Sequence, residues 1–401
     1  MVWPNAMNPF CKLERLSRPS RLTLICGLIS LLVSTPVFAD SPPSKMNLDQ
    51  AHMSLIQAHS LTGKPEGHDA APDPYDPLPK LGRALFFSRN LSGEKKVACV
   101  SCHHPLLGGG DGLSLAVGVA AHQSDIVGPG RVLDIGLDGD PKAQTIGGPN
   151  VPRNTLTTFN AGFYQKGLLH DGRIFKLGVD DDGVTLFRTP DSSLRDLPDA
   201  NARGDLLTVQ ARFPVTGFDE MRGYGEFYGL TAPEVRDAIA DRFIVNAEEW
   251  LLQFQIGFQA PGVPAEELMT FENIARALSA YQRSQSFVDS PWSKYVGGDL
   301  DALTTPQKQG ARLFFEAPVD GGYGCASCHS GDFFTDEQHH AAGFPQLGRG
   351  KRSDGDDPGR YLVTQDPDDR YRFRTPSLLN VSETGPWGHS GAFSSLSELV
   401  A

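Results

Sequence analysis

The 401-residue chain predicts a mainly α-helical fold with long ordered loops, built as two similar units in tandem. Three observations carry this expectation. A pentapeptide recurs, as Cys99-Val-Ser-Cys102-His103 and Cys325-Ala-Ser-Cys328-His329. Each copy follows a helix-like run with the same ending, Gly82-Arg-Ala-Leu-Phe-Phe87 and Gly310-Ala-Arg-Leu-Phe-Phe315, an echo expected of a duplicated unit. Regular apolar spacing is helical, over 233–254 and 271–287, while strand-like alternation is sparse and 43 Gly with 30 Pro imply much loop.

In chain order, residues 1–39 read as a secretory signal peptide. Lys12, Arg15, Arg18 and Arg21 form a basic start, Leu22 to Val33 a short apolar core, and Val37 and Ala39 the small residues before a cut. The apolar run is short for a membrane span, and an uncleaved anchor is the alternative. Residues 40–75, rich in Ser, Pro, His and Asp, read as a flexible lead-in. A first domain follows over 76–258, with an acidic surface insertion at 180–205. The turn-rich break Gln259 to Pro264 marks the start of a second domain, 259–401.

The repeated pentapeptide carries the chemistry. Two thiols at i and i+3 share one side of a helical turn and can add to the two vinyl groups of a haem. The next residue, His103 or His329, then binds the iron from below. The two units are thus expected to be tandem c-type cytochrome-like haem domains, with a four-thiolate zinc site as the alternative. Cysteine usage agrees with export to the bacterial periplasm. Cys11 and Cys26 lie in the leader, and the other four are all in the motifs, so none remains for a disulfide. The formal charge is −12, and −15 without residues 1–39, which argues against nucleic acid and anionic membranes as partners. An acidic surface suits a basic redox partner, or is simply solvated.

Further motifs flank these units: LGRALFFSRNLSG before the first, PRNTLTTFNAGF and HDGR after it, and FRTPSLLN and TGPWGHSGAF near the end. With them the chain resembles, from Leu81 to Ala401, the bacterial di-haem cytochrome c peroxidase family. That family includes the di-haem enzymes that oxidise a protein substrate in methylamine dehydrogenase maturation. The resemblance implies reduction of hydrogen peroxide to water, with electrons from a small c-type cytochrome or copper protein, and a possible homodimer. It makes His103 the proximal ligand of a peroxidatic haem and His329 that of an electron-transfer haem. A family pattern QAxxPxxxxxEM matches Gln210 to Met221, with Glu220 as general acid–base and Gln210 as its orienting partner. Outside that register such residues are ordinarily solvated. The resemblance also implies one calcium ion, on the Asn154 side chain and the carbonyls of Thr384 and Pro386, where the plainer reading is a set of turn residues.

Three departures stand out. The distal histidine found on many peroxidatic haems falls at Val119, which cannot ligate iron. That haem is therefore expected to be open without prior reduction, unless His122 substitutes. The Trp between the haems is replaced by His170, a poorer relay for an electron hole. The distal ligand of the second haem, Met or Tyr in the family, is expected fourteen residues after His389, beyond Ala401. Met221 and Met269 read as packing. His104 and the pair His339-His340 are candidate extra ligands left unassigned, since adjacent histidines in a polar loop are usually solvent-exposed. The alternative functions are oxidation of a protein or organic substrate, and a non-catalytic electron carrier that would leave Gln210 and Glu220 unexplained.

Overall fold

A computed structural model describes residues 45–134, 149, 151–192, 197–352 and 354–401, with side chains from Leu48 onward. The expected signal peptide lies outside the described residues. The fold is mainly helical with little sheet. Helix α1 is Lys45–Ala58, and α2 is Pro77–Phe87, with Pro77 and Pro79 in a first turn whose N–H groups have no helical partner. An antiparallel sheet β1 (Gly167–Leu168), β2 (Ile174–Val179) and β3 (Thr185–Arg188) follows, in the order β1-β2-β3. Next come α3 (Leu206–Gln210), α4 (Ala232–Val245), α5 (Ala247–Gly257), α6 (Ala265–Leu268) and α7 (Phe271–Arg283). After α8 (Pro291–Val296) and α9 (Thr305–Phe315), a short pair β4 (His339–His340) and β5 (Phe373–Arg374) runs antiparallel. The helix expected over 233–254 is two, because Asn246 leaves helical dihedrals between α4 and α5. Both repeated Leu-Phe-Phe runs end a helix, α2 and α9, just before a pentapeptide.

The largest core packs α2 against α7, with Leu81, Leu85, Phe86, Ile274, Leu278 and Tyr281 at its centre. Gly82 permits this, since a Cβ there would stand 1.9 Å from the carbonyl oxygen of Ala277. This core corrects the domain boundary expected at 259. Helices α6 and α7 lie beyond that break yet complete the core begun by α2. The Gly/Pro cluster is only the turn that folds the chain back from α5.

The lead-in is a second correction. Over 45–75 the chain carries α1, whose Leu48, His52 and Ile56 are buried at i, i+4 and i+8 on one face. Ile56 and Leu61 join Tyr295, Leu303, Phe315 and Ala326 in a separate core. Asp49 receives the buried Lys308 ammonium and the Tyr295 hydroxyl (2.8 Å), and His52 Nδ1 lies 3.0 Å from that hydroxyl. Asp332 accepts from the N–H groups of Thr62 (2.9 Å) and Gly63 (2.8 Å). The first described helix is thus fastened to the second pentapeptide's surroundings.

The stretch 180–205 also departs from a surface insertion. Asp180 shapes the β2–β3 turn by accepting from Val184 N–H at 2.8 Å. Phe187 is buried with Leu168, Ile174, Leu206 and Val209. Buried Asp199 accepts from Thr189 Oγ1 (2.7 Å) and Arg212 Nη1 (2.9 Å). Its acidity serves a turn and a buried ion pair, which composition alone does not separate from solvated charge.

Candidate haem centres and distal pocket

The two pentapeptides fold alike. Each starts with a single 3-10 turn, Cys99–Ser101 and Cys325–Ser327. The N–H groups of His103 and His329 close the turn onto the carbonyls of Cys99 (2.9 Å) and Cys325 (3.0 Å). All four thiols are free. Each imidazole spends Nδ1 on a backbone carbonyl, His103 on Gly109 (3.3 Å) and His329 on Phe334 (3.0 Å). A carbonyl only accepts, so the proton sits on Nδ1 and the Nε2 lone pair is kept for a metal. Burial lowers the pKa of both rings, which favours the neutral, ligating form.

These donor sets fit c-type haem. They do not fit a four-thiolate zinc site. Among the described residues, the one group of three or more His, Cys, Asp or Glu ligand atoms that converges is Cys328, Asp336 and His340, which belongs to the second pentapeptide's own surroundings. Aromatic residues back each turn from the preceding helix. The Phe86 ring lies 6.4 Å from His103 and 5.1 Å from Tyr281, and Phe315 stacks on Trp292 at 5.5 Å.

The segment carrying Gln210 and Glu220 is short and fixed at its ends. Asp205 caps α3 by accepting from Thr208 N–H at 2.8 Å, and α3 ends at Gln210. A wide helical turn over Phe218–Arg222 then buries Met221 in the core and leaves Glu220 half-buried. Neither the Gln210 amide nor the Glu220 carboxylate makes a hydrogen bond or ion pair with a described residue. Two half-buried polar ends are therefore uncommitted, and the field of Glu220 reaches the Cys102 thiol.

Val119 sits against this turn, its N–H donating to the Asp219 carbonyl at 3.2 Å. Gly118 approaches the same carbonyl so closely that a Cβ would stand 1.9 Å from it. His122 points elsewhere. Its side chain is half exposed, with Nδ1 3.9 Å from Asp134. Met269 is fully buried in the core.

His170 Nε2 lies 3.0 Å from the Asn154 carbonyl. Burial, reinforced by Arg153, lowers its pKa to about 3, so this ring is neutral. Asn154 donates from Nδ2 to the carbonyls of Leu113 (2.9 Å) and Ser114 (3.3 Å), which turns Oδ1 away as a free acceptor. The carbonyls of Thr384 and Pro386 also accept no hydrogen bond from a described residue. All three oxygens are neutral and accept no hydrogen bond from a described residue.

His339 and His340 are not loop residues. They form β4, where burial and the nearby Arg360 lower the His339 pKa to about 3 and His340 Nε2 pairs with Asp336 at 2.8 Å. His104 Nδ1 accepts from Leu106 N–H at 3.2 Å and shapes the turn after the first pentapeptide.

Two buried groups near the first pentapeptide escaped sequence reading. Asp111 accepts from Leu113 N–H (3.0 Å) and Thr155 Oγ1 (3.1 Å), and burial raises its pKa to about 6. Its position directly after three glycines was the available signal. Arg131 is buried among backbone carbonyls, and no residue pattern marks that environment.

Comparison with known proteins agrees with this geometry. The chain is 26% identical over 393 residues to the cytochrome-c peroxidase IdrP1 of Pseudomonas sp. (strain SCT), spanning 89% of this chain and 82% of that one. It is 28% identical over 323 residues to the methylamine utilization protein MauG of Methylorubrum extorquens, spanning 80% and 66%. Its fold resembles the crystal structure of a MauG-like protein associated with microbial copper homeostasis, with a TM-score of 0.56 at 22% identity over 84% of this chain and 78% of that one. The sequence profile described as di-haem cytochrome c peroxidase matches residues 77–301, more than half the chain. With both pentapeptides built for covalent haem and a family profile spanning the first of them, the chain belongs to the di-haem cytochrome c peroxidase family.

Proposed function

We propose that this protein is a periplasmic peroxidase that reduces hydrogen peroxide to two waters, consuming two protons and two electrons. The electrons come singly from a small c-type cytochrome or copper protein and enter through the haem held by His329. The observation that carries this reading is Glu220, uncommitted on the turn against which Val119 docks and within electrostatic reach of Cys102, with the uncommitted Gln210 amide at the end of α3.

When bound, the haem held by His103 supplies the redox chemistry of O–O cleavage. Glu220 takes the proton from the nearer peroxide oxygen and returns it to the departing one. Gln210 holds the peroxide in line through its amide. Val119 presents a side chain without a lone pair, so the site is ready without prior reduction. Replacing Glu220 with Ala or Gln should lower peroxide-dependent oxidation of a reduced small cytochrome c by about 10²–10⁴-fold, with the haem absorption unchanged. Turnover that survives in both variants would remove Glu220 from the mechanism. A long-lived oxidised species without donor turnover in the unaltered protein would instead favour oxidation of a protein or organic substrate.

Asn154 Oδ1 and the carbonyls of Thr384 and Pro386 are proposed to hold one calcium ion. With no carboxylate in the set, binding is expected to be readily reversed by a chelator. Treatment with EGTA should lower thermal stability in the unaltered protein and have no effect in Asn154→Ala. An equal response in both would exclude this site.

A further inference from the structure

We propose that Arg131 is a positioning residue for the distal pocket: its guanidinium clasps the 113–134 loop so that Val117 to Val119 stay docked on Asp219 and Glu220 and His122 stays at the surface. The inference rests on the reading that His103 holds the peroxidatic haem.

Arg131 is 2% exposed. Nε donates to the Val117 carbonyl (2.6 Å) and Nη2 to that of Gly118 (2.8 Å). Nη1 donates to the carbonyls of Ile126 (2.8 Å) and Ser124 (3.2 Å). All four acceptors are neutral backbone groups, and no described carboxylate forms an ion pair with this guanidinium. The nearby buried Asp111 feels this charge without forming an ion pair with it. A buried cation without a paired carboxylate is costly, and an aliphatic side chain would fill the space at lower cost. What only the planar fork achieves is to join two limbs of one loop, 117–118 and 124–126, through fixed donors.

The rest of the loop is built to the same end. Its limbs are zipped by His122 N–H to the Val132 carbonyl (3.0 Å) and Asp134 N–H to that of Ala120 (2.8 Å). Arg89 clasps the outside, donating to the Ser124 carbonyl (3.1 Å) and Asp125 (2.5 Å). The docked end is the Val119 amide on Asp219, with Gly118 in close approach. The imidazole of His122 is the loop's one soft ligand, and the zip turns it toward Asp134. Releasing the clasp frees both the pocket wall and a nitrogen donor able to close the iron.

The test uses the haem-loaded protein and its Arg131→Met and Arg131→Lys variants, with Arg131→Met/His122→Ala as control. The ferric spin state is read by electron paramagnetic resonance, cyanide association by stopped flow, and amide exchange at Val119, His122 and Asp134 by NMR or mass spectrometry. Expected in Arg131→Met is exchange at least tenfold faster at those amides. A low-spin fraction that disappears in the double variant, and cyanide binding slowed in proportion to it, should accompany that change. Arg131→Lys, which keeps the charge without the fork, should show the same changes at smaller amplitude and guards against a Met variant that fails to fold. Unchanged spin state and cyanide rate in both single variants would overturn the proposal. A His103 haem already low-spin in the unaltered protein would overturn the open-site reading instead, and exchange at Val119 would then decide the clasp by itself.

Discussion

An Arg153→Met variant should lose about 3–5 kcal/mol of stability, seen as a lower denaturant midpoint with the cooperativity retained. Arg153 bonds through Nε and Nη2 to Asp357 (2.6 and 2.8 Å) and through Nη1 to Asp171 (2.6 Å). The side chains of Asp171 and Asp357 are 4% and 0% exposed. Removing the guanidinium therefore leaves two buried carboxylates without their main donor and out of reach of water. Arg173, 3.2 Å from Asp171, compensates only one of them. The guanidinium keeps both acids ionised against their burial, and it lies over the Phe373 ring at 5.6 Å. Adding Asp357→Asn to the Met variant should recover part of the loss, since a neutral amide is cheaper to bury than an unpaired charge. Equal midpoints for the unaltered protein and Arg153→Met would mean that this network contributes nothing net.

Acid should destabilise the protein steeply between about pH 6.5 and 4. Burial holds the folded-state pKa of His170 and His339 to about 3 and of His389 to about 4, against about 6.5 in an unfolded chain. Arginines reinforce each shift, Arg153 at His170 and His389, and Arg360 at His339. As pH falls through 6.5 the unfolded chain gains three protons that the folded protein refuses. The stability these rings contribute is thus complete above 6.5 and is lost toward pH 4. Asp111 acts in the opposite direction. Its folded pKa of about 6 exceeds the unfolded value, so the folded protein gains one proton over the same window. For these four groups the net difference is two protons, or about 3 kcal/mol per pH unit. Thermal or urea unfolding at half-unit pH steps would measure this slope. Replacing His389 with Gln should lower it by about 1.4 kcal/mol per unit, and a stability flat from pH 7 to 5 would rule the account out.

The haem turns were the most legible part of the sequence because covalent chemistry dictates spacing. Two thiols must meet two vinyl groups, and the next residue must reach the iron. The helical stretches holding α4, α5 and α7 were legible for a different reason, their regular apolar spacing, and α2 through the repeated Leu-Phe-Phe ending it shares with α9. Helix α1 was hidden because its buried stripe is Leu48, His52 and Ile56, with an imidazole where a pattern search wants an aliphatic residue. The turn after α5 was read as a boundary because Gly and Pro mark a change of direction, whether or not the core continues beyond it. Arg131 was illegible since its partners are backbone carbonyls, present at every position. The same holds for His339, whose environment is set by Arg360 and Arg374 from remote sequence.

The fastening of α1 also sets an order of events during folding. His52 and Tyr295 are 243 residues apart in sequence, and Asp49 and Lys308 are 259 apart. Helix α1 is made first among the described elements, yet its docking surface exists only once α8 and α9 have formed. Loops of that length close late and slowly. Ala326, between the two cysteines of the second pentapeptide, is buried in the same core that α1 completes. Until α1 docks, the second turn lacks part of its cover. The cover of the second haem turn is thus completed by a helix remote in sequence rather than by its own neighbourhood.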